Sequence, residues 1–351
     1  MATVNSNAKR SKPRFLVVGC GSIGKRHIRN LLALGANEII AFDPQAVRRE
    51  EVAASMGVVT VDSLSAAWGL GPQVCVIAAP SSLHVPLALD AARHGCHLFV
   101  EKPLSHTWEG IQELLQLVRE CALTTLVACN LRFHPGLRMV QRLLTDRAIG
   151  RVIAARVEVG QYLPDWHPAE DYRRGYSARR ELGGGILLDA IHEIDYSRWL
   201  LGEVTSAVCM ADKLSHLEID TEDTAALLLR FASGAVGEIH LDYIQRAYSR
   251  TCQIIGDEGT IHWDFSAGQV RFYSAHEQRW NVFDNPVGWQ VNQMYVDEMA
   301  HFLRCVDSED APESNVFDGA KVLQIALAAK ASATEKCWIE FGSPRWPIAI
   351  L

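Results

Sequence analysis

The sequence predicts an α/β protein in two parts: a doubly wound parallel sheet first, then an α+β domain built on a large, mostly antiparallel open sheet. Three observations predict it. From Phe15 to Cys129, short and nearly continuous apolar runs alternate with longer amphipathic stretches, the rhythm of strands covered by helices on both faces. Past about Leu131, short runs are joined by tight turn signals, as antiparallel hairpins require. The chain has 351 residues, and at roughly 100–200 residues per domain that makes about two domains.

Residues 1–13 are polar and basic with no apolar stretch, and read as a disordered tail, not a secretory signal. In the first domain, residues 14–130, the strand-like runs are Phe15–Val18, Glu38–Phe42, Val74–Ala78, Leu98–Val100 and Thr124–Cys129. Between them Ile28, Leu31 and Leu32, and later Leu87, Ala88, Ala91 and Ala92, recur at helical spacing. The second domain, residues 131–351, opens with a helical stretch at Gly136–Leu144 and a strand-like run at Arg151–Val159. A loop rich in Pro, Trp and Arg follows, then a helix near Leu187–Leu201. From Ala225 to Phe272, apolar runs meet at Ser233-Gly234, Gly256-Asp257-Glu258-Gly259 and Ala267-Gly268. Helical patterns at Val296–Val306 and Ala320–Ala331 close the chain.

Apolar residues make up 48% and charged residues 21%, near the soluble globular average, which argues against disorder and rod-like repeats. A net charge of −7 gives no pull toward nucleic acid or anionic membrane. No apolar run approaches the ~18–20 residues that span a bilayer. The nine cysteines form no C-x-x-C pair and read as free thiols of a reducing compartment, so the cytoplasm is expected. His94, Cys96 and His97 are close in sequence, but adjacent strand residues diverge, and no metal is expected there. Nucleophile elbows and Walker loops are missing.

Gly19-Cys20-Gly21-Ser22-Ile23-Gly24 is a G-x-G-x-x-G that follows the first strand and opens a helix. Gly19 permits the tight turn, Gly21 lets backbone approach a pyrophosphate, and Gly24 allows close helix–strand packing. The first helical amides, at Ser22 and Ile23, then face the phosphates. The second strand ends at Asp43, 19 positions after Gly24, where a carboxylate accepts from ribose hydroxyls and repels a 2′-phosphate. A Rossmann domain binding NAD is expected. Arg48 and Arg49 nearby leave NADP open. Pro80, Ser81 and His84 lie at a strand's C-terminal edge, where such sheets hold ligands; for His84 a packing or capping role is equally open.

The next strand ends in Glu101-Lys102-Pro103. With Pro80–His84, the run Asn130-Leu131-Arg132-Phe133-His134-Pro135, and Gly183-Gly184-Gly185-Ile186-Leu187-Leu188-Asp189 followed by His192, this order resembles the Gfo/Idh/MocA oxidoreductases (glucose–fructose oxidoreductase, inositol dehydrogenase and relatives). The likeness runs from about residue 14 to 340. It implies a catalytic group of Lys102, Asp189 and His192, with Glu101 and Lys102 also beside the cofactor. Many members have four steps from aspartate to histidine, whereas here there are three. Both spacings keep one helix face.

Elementary chemistry supports those roles. Oxidising a secondary alcohol removes a hydride and a hydroxyl proton. A histidine can accept the proton, an ammonium can stabilise the oxyanion, and a carboxylate can orient the histidine or grip a sugar hydroxyl. Glu193 and Asp195 are expected to be solvated or structural. Aromatic faces at Tyr162, Trp166 and Tyr172 suit sugar rings. Arg173, Arg174, Arg179 and Arg180 present bidentate anion sites, and Arg132 and His134 lie near the expected cleft. Tyr162, Trp166, Arg132, Arg173 and Arg179 are therefore the candidate substrate contacts, for a sugar or polyol that is anionic if the arginines face it. The leading expectation is an NAD-dependent sugar or cyclic-polyol dehydrogenase. The competing ones are an NAD-assisted glycosidase, working by oxidation, elimination and reduction, and a non-catalytic NAD or sugar sensor. Ala225–Leu229 and Val236–Leu241 are apolar enough to predict a homodimer or homotetramer through the open sheet.

Overall fold

The computed structural model describes residues 13–166, 171–308 and 310–346. The expected tail lies outside the described residues except for Pro13. The first layer runs β1 (Phe15–Val18), α1 (Ser22–Ala33), β2 (Ile39–Phe42), α2 (Ala46–Met56), β3 (Val59–Val61), α3 (Leu64–Gly69), β4 (Val74–Ile77), α4 (His84–Arg93), β5 (His97–Glu101), α5 (Ile111–Glu120) and β6 (Thr125–Ala128). Its six strands lie in the order β3-β2-β1-β4-β5-β6, all parallel. Every residue of β1, β4 and β6 is buried, which is why these strands read as continuous apolar runs. The strand order reverses between β1 and β4, and a doubly wound sheet opens its ligand crevice at that point. Strand β3 escaped the sequence pattern. It is three residues long, none fully buried, so it lacks the apolar run that marks its neighbours.

The second layer runs α6 (Pro135–Thr145), β7 (Val152–Gly160), α7 (Ile186–Asp189), α8 (Ile191–Leu201), β8 (Val204–Asp212), β9 (Thr224–Phe231), β10 (Val236–Asp242), β11 (Ser249–Gly256), β12 (Gly259–Asp264), β13 (Gln269–Ser274), β14 (Arg279–Asp284), α9 (Asn292–Asp307), α10 (Val316–Glu335) and β15 (Ile339–Glu340). Nine strands form one open sheet, β14-β13-β12-β11-β7-β10-β9-β8-β15. It is antiparallel apart from the β7–β10 pair. Along β9, Ala225, Leu227, Leu229 and Phe231 are buried while the residues between them are not, so one face of the sheet covers helices and the other is open.

Two departures from the sequence reading bear on function. The helix expected near Leu187–Leu201 is two helices, because the chain leaves helical dihedrals at Ala190 (φ −89°, ψ 33°). The last two helices also return to the first sheet. Met299 and Phe302 of α9 share a buried cluster with Phe15, Val17, Ile28 and Phe99, and the Val316 amide at the start of α10 donates to the Thr125 hydroxyl (3.2 Å).

Arg132 is a correction. It is only 2% exposed, and both arms of its guanidinium hold the Asp195 carboxylate of α8, at 2.9 and 2.6 Å. It therefore bolts the end of the first layer to the second and offers no charge to a substrate. Asp195→Ala strands a buried cation, a loss of about 3–5 kcal/mol. Urea titration should show the midpoint falling accordingly with little change in slope.

Candidate active site

The glycine turn is shaped by contact. Gly19 has φ +100°, and a Cβ there would meet the Ala78 carbonyl oxygen at 2.4 Å. A Cβ on Gly24 would collide with the Gly19 carbonyl, whereas one on Gly21 would meet nothing within 4 Å. The first and third glycines thus serve packing, and the second leaves a cradle. Gly21 caps α1 without a side-chain hydrogen bond, so the amides at Ser22 and Ile23 remain for a phosphate. Asp43, at the tip of β2, accepts the Cys20 amide through Oδ2 and the Gln45 amide through Oδ1, both at 2.9 Å. That bracing leaves a lone pair on each oxygen for a ribose diol, with Arg48 3.6 Å away. These residues fit NAD. Gly19→Ala should weaken NADH binding at least tenfold, and titration of nicotinamide fluorescence measures it.

Three candidate cofactor contacts spend side-chain polar atoms within the protein. The Ser81 hydroxyl donates to the carbonyls of Leu182 and Gly183 (3.1 and 3.3 Å). His84 is buried with Nδ1 2.7 Å from the Pro103 carbonyl and Nε2 2.8 Å from that of Ala79. Glu101 is buried against His27 of α1 (2.6 Å) and accepts the Lys102 amide (3.1 Å). Burial pushes its carboxyl up, but the His27 hydrogen bond and nearby charges bring it below the usual range. Pro80 stays exposed at the sheet's edge.

Lys102 is joined to Pro103 by a cis peptide bond. Its Nζ donates to the Asp189 carbonyl (2.7 Å) and Oδ1 (3.1 Å). An ammonium has three donors, so one is left for the cleft, where the side chain is 18% exposed. Asp189 is surrounded: Tyr176 also donates to Oδ1, while Ser177 (2.6 Å) and Tyr243 (3.0 Å) donate to Oδ2. Burial raises its carboxyl, yet the Lys102 charge and the hydroxyls hold it below the ordinary value. Burial likewise opposes the Lys102 charge, but Tyr176 and Asp189 more than offset it. The amine therefore stays an ammonium and cannot serve as a base.

His192 lies three residues on, in the first turn of α8. Its Nδ1 is buried without a partner, which leaves Nε2 on the accessible side. Burial, then the charges of Lys102 and Arg250, drive its pKa well below the normal 6.5. A neutral imidazole and a fixed ammonium acting together on one oxygen are what alcohol oxidation calls for. The expected orientation of His192 by Asp189 is corrected: no hydrogen bond joins them, because Asp189 spends its oxygens on Lys102 and three hydroxyls.

Comparison with known proteins decides the family. A family model described as "Oxidoreductase family, NAD-binding Rossmann fold" matches residues 13–128, and one described as "GFO/IDH/MocA C-terminal domain" matches residues 137–262. The chain is a Gfo/Idh/MocA-family oxidoreductase. Among relatives of this oxidoreductase, scyllo-inositol 2-dehydrogenase (NAD(+)) of Bacillus subtilis is 28% identical over 331 residues, covering 91% of this chain and 93% of that one. Levoglucosan dehydrogenase of Pseudarthrobacter phenanthrenivorans is 26% identical over 311 residues, covering 75% and 78%. A solved levoglucosan dehydrogenase in complex with NADH superimposes with a TM-score of 0.85 at 22% identity, covering 94% of this chain and 99% of that one; at that identity the match speaks to the fold. It agrees with the parallel and the mostly antiparallel sheets described above.

Two loop arginines of the oxidoreductase bind within their own loop. Arg173 is exposed and clamps Asp171 (2.7 and 3.1 Å), reaching Glu218 at 3.3 Å. Arg179 donates Nε to the Arg173 carbonyl (2.7 Å). Arg173 is corrected from a substrate contact to a loop brace, its guanidinium spent on carboxylates, whereas Arg179 braces the loop through Nε alone. Tyr162 lies under the Arg246 guanidinium, 3.6 Å from its centre. Trp166 donates to the Gln161 carbonyl (3.2 Å) and sits edge-on to Tyr243 (5.4 Å), so it packs behind the hydroxyl that holds Asp189. His94 stacks on Trp68, and His97 accepts the Thr124 amide.

Sequence reasoning missed Tyr176, Ser177 and Tyr243, which carry no motif. The glycine triplet was the available signal. A Cβ on Gly184 would meet the carbonyl of Tyr176 at 2.2 Å, so the bare glycine lets the Tyr176–Ser177 segment lie close enough to reach Asp189.

Proposed function

We propose that this family member oxidises a secondary hydroxyl of a sugar or cyclic polyol, or reduces the matching ketone, with Lys102 and His192 acting on one oxygen. The observation that carries the reading is an ammonium pinned by Asp189 with one donor unspent, whose charge acts on the imidazole three residues along the chain. In the oxidative direction, the hydroxyl proton moves to His192 Nε2. The free Lys102 donor holds the oxygen as negative charge develops, while Asp189, fixed by three hydroxyls, keeps the amine from turning away. NAD, when bound, accepts the hydride from the carbinol carbon. Asp189 is a positioning residue, since Lys102 and hydroxyls enclose its carboxylate.

The named relatives are dehydrogenases of levoglucosan and inositol, which favours this reading over the glycosidase. Association through the open sheet face is part of the proposal, as homodimer or homotetramer. Its support is the apolar surface displayed there, with Met210 81% exposed and Leu228, opposite Val208 on the neighbouring strand, exposed on the same face. A cytoplasmic setting is supported by nine free cysteines. No helix among the described residues is long and apolar enough to cross a membrane.

A panel of polyols, sugars and sugar acids with NAD or NADP tests the reading. Stoichiometric growth of the reduced-nicotinamide absorbance supports it. Release of an aglycone without net NADH would make the chain a glycosidase instead.

A further inference from the structure

Arg132 and Arg173 are held by carboxylates of the protein itself, but another arginine lies against the helix that carries His192. Arg250 opens β11 on the same side as Cys252 and Ile254, which are buried, so it points toward the helices and away from the open sheet face. Its Nε lies 2.9 Å from Oε1 of Glu193, and a terminal nitrogen lies 3.5 Å from Oε2. The Nε contact is close but poorly aligned, leaving both atoms without a proper hydrogen bond. Glu193 is fully buried, while Arg250 keeps 16% of its side chain exposed. Burial pushes the Glu193 carboxyl up and Arg250 draws it back; against a permanently charged guanidinium, the two form an ion pair.

The neighbourhood is short of hydrogen-bond partners. His192 Nδ1, His134 Nε2, Tyr196 OH and Trp263 Nε1 are all buried without a hydrogen-bond partner. Ring contacts link three of these side chains to the arginine: Tyr196 to Trp263, Trp263 to His134, His134 to Phe265, and Phe265 to the Arg250 guanidinium. Native interiors seldom leave so many polar atoms unmatched in one place unless a ligand or water completes them. Glu193 directly follows His192 in α8, so the guanidinium paired with Glu193 lies against the turn that carries the imidazole, and its charge acts on His192 and on His134.

We propose that Arg250 is a substrate-contacting residue. The terminal N–H groups that neither Glu193 nor Tyr248 takes donate to an oxygen near the carbinol that His192 deprotonates. Glu193 already balances the guanidinium, so that oxygen is an uncharged hydroxyl, and a neutral polyol is preferred over the corresponding acid. The inference rests on the dehydrogenase reading and narrows its substrate class.

The test uses the full-length enzyme with NAD and a matched pair, a neutral sugar or cyclic polyol and the acid of the same ring. The wild type should favour the neutral member. Arg250→Met should raise its KM tenfold or more while NADH affinity stays within about twofold, and Arg250→Lys should restore part of the loss. Glu193→Gln, which uncovers the arginine's charge, should shift the kcat/KM ratio about tenfold toward the acid; a purely structural pair would leave that ratio alone. If Arg250→Met does not bind NADH, the lysine and glutamine variants decide. A wild type that prefers the acid, an unmoved KM in the arginine variants, or an unmoved ratio in Glu193→Gln would overturn the assignment while leaving the dehydrogenase reading intact. A wild type that turns over no panel member overturns both.

Discussion

Lys102→Met is expected to lower kcat/KM by about 10²–10³-fold, the usual effect of removing one preorganised donor from a developing oxyanion. The side chain is held at two points on Asp189 (2.7 and 3.1 Å), so its third donor is aimed before substrate arrives and needs no reorganisation during reaction. The loss should fall on kcat more than on KM, because the contact strengthens as charge develops. Methionine keeps the length of the side chain and leaves Tyr176, Ser177 and Tyr243 on the carboxylate. NADH titration should therefore show a nearly unchanged affinity, and steady-state kinetics with NAD should show the defect. Asp189→Asn should act in the same direction but more weakly, since it loosens the amine without removing it.

His192→Asn is expected to cost about 10²–10⁴-fold in kcat, the range for losing a positioned base. The pH profile separates this from a structural defect. The reactive form is the unprotonated imidazole, and the folded protein depresses its pKa well below the usual 6.5 through burial and the charges of Lys102 and Arg250. Depression means the base stays free as pH falls. kcat/KM for oxidation should thus hold level through neutral pH and decline only below the ordinary histidine range. In the asparagine variant that acid limb should vanish. A wild-type limb centred at or above 6.5 would mean that the imidazole titrates in a solvated site, contrary to its buried Nδ1.

What was legible in the sequence followed local rules. Buried parallel strands announce themselves as unbroken apolar runs, and a turn that must approach a phosphate announces itself as glycine, so β1, the 19–24 turn and Asp43 could be found in order. Strand β3, with no fully buried residue, had no such signal. The pairing of charges was not legible, because it depends on long-range contacts. Arg132 looks like a ligand contact at a cleft edge until Asp195 is seen to take both its arms. Arg250, near the start of an ordinary strand pattern, gave no sign that it pairs with Glu193, the residue after His192. Helical spacing put Asp189 and His192 on one face, but the break at Ala190 separates their helices, and the aspartate serves the lysine.

A crystal structure of the ternary complex with NADH and a bound polyol puts the central claim to its most direct test. Lys102 Nζ and His192 Nε2 should both lie within about 3.2 Å of the same substrate oxygen, with Asp189 still holding the amine. If the two nitrogens reach different oxygens, or if His192 faces away from the carbon next to the nicotinamide ring, the proposed chemistry is wrong.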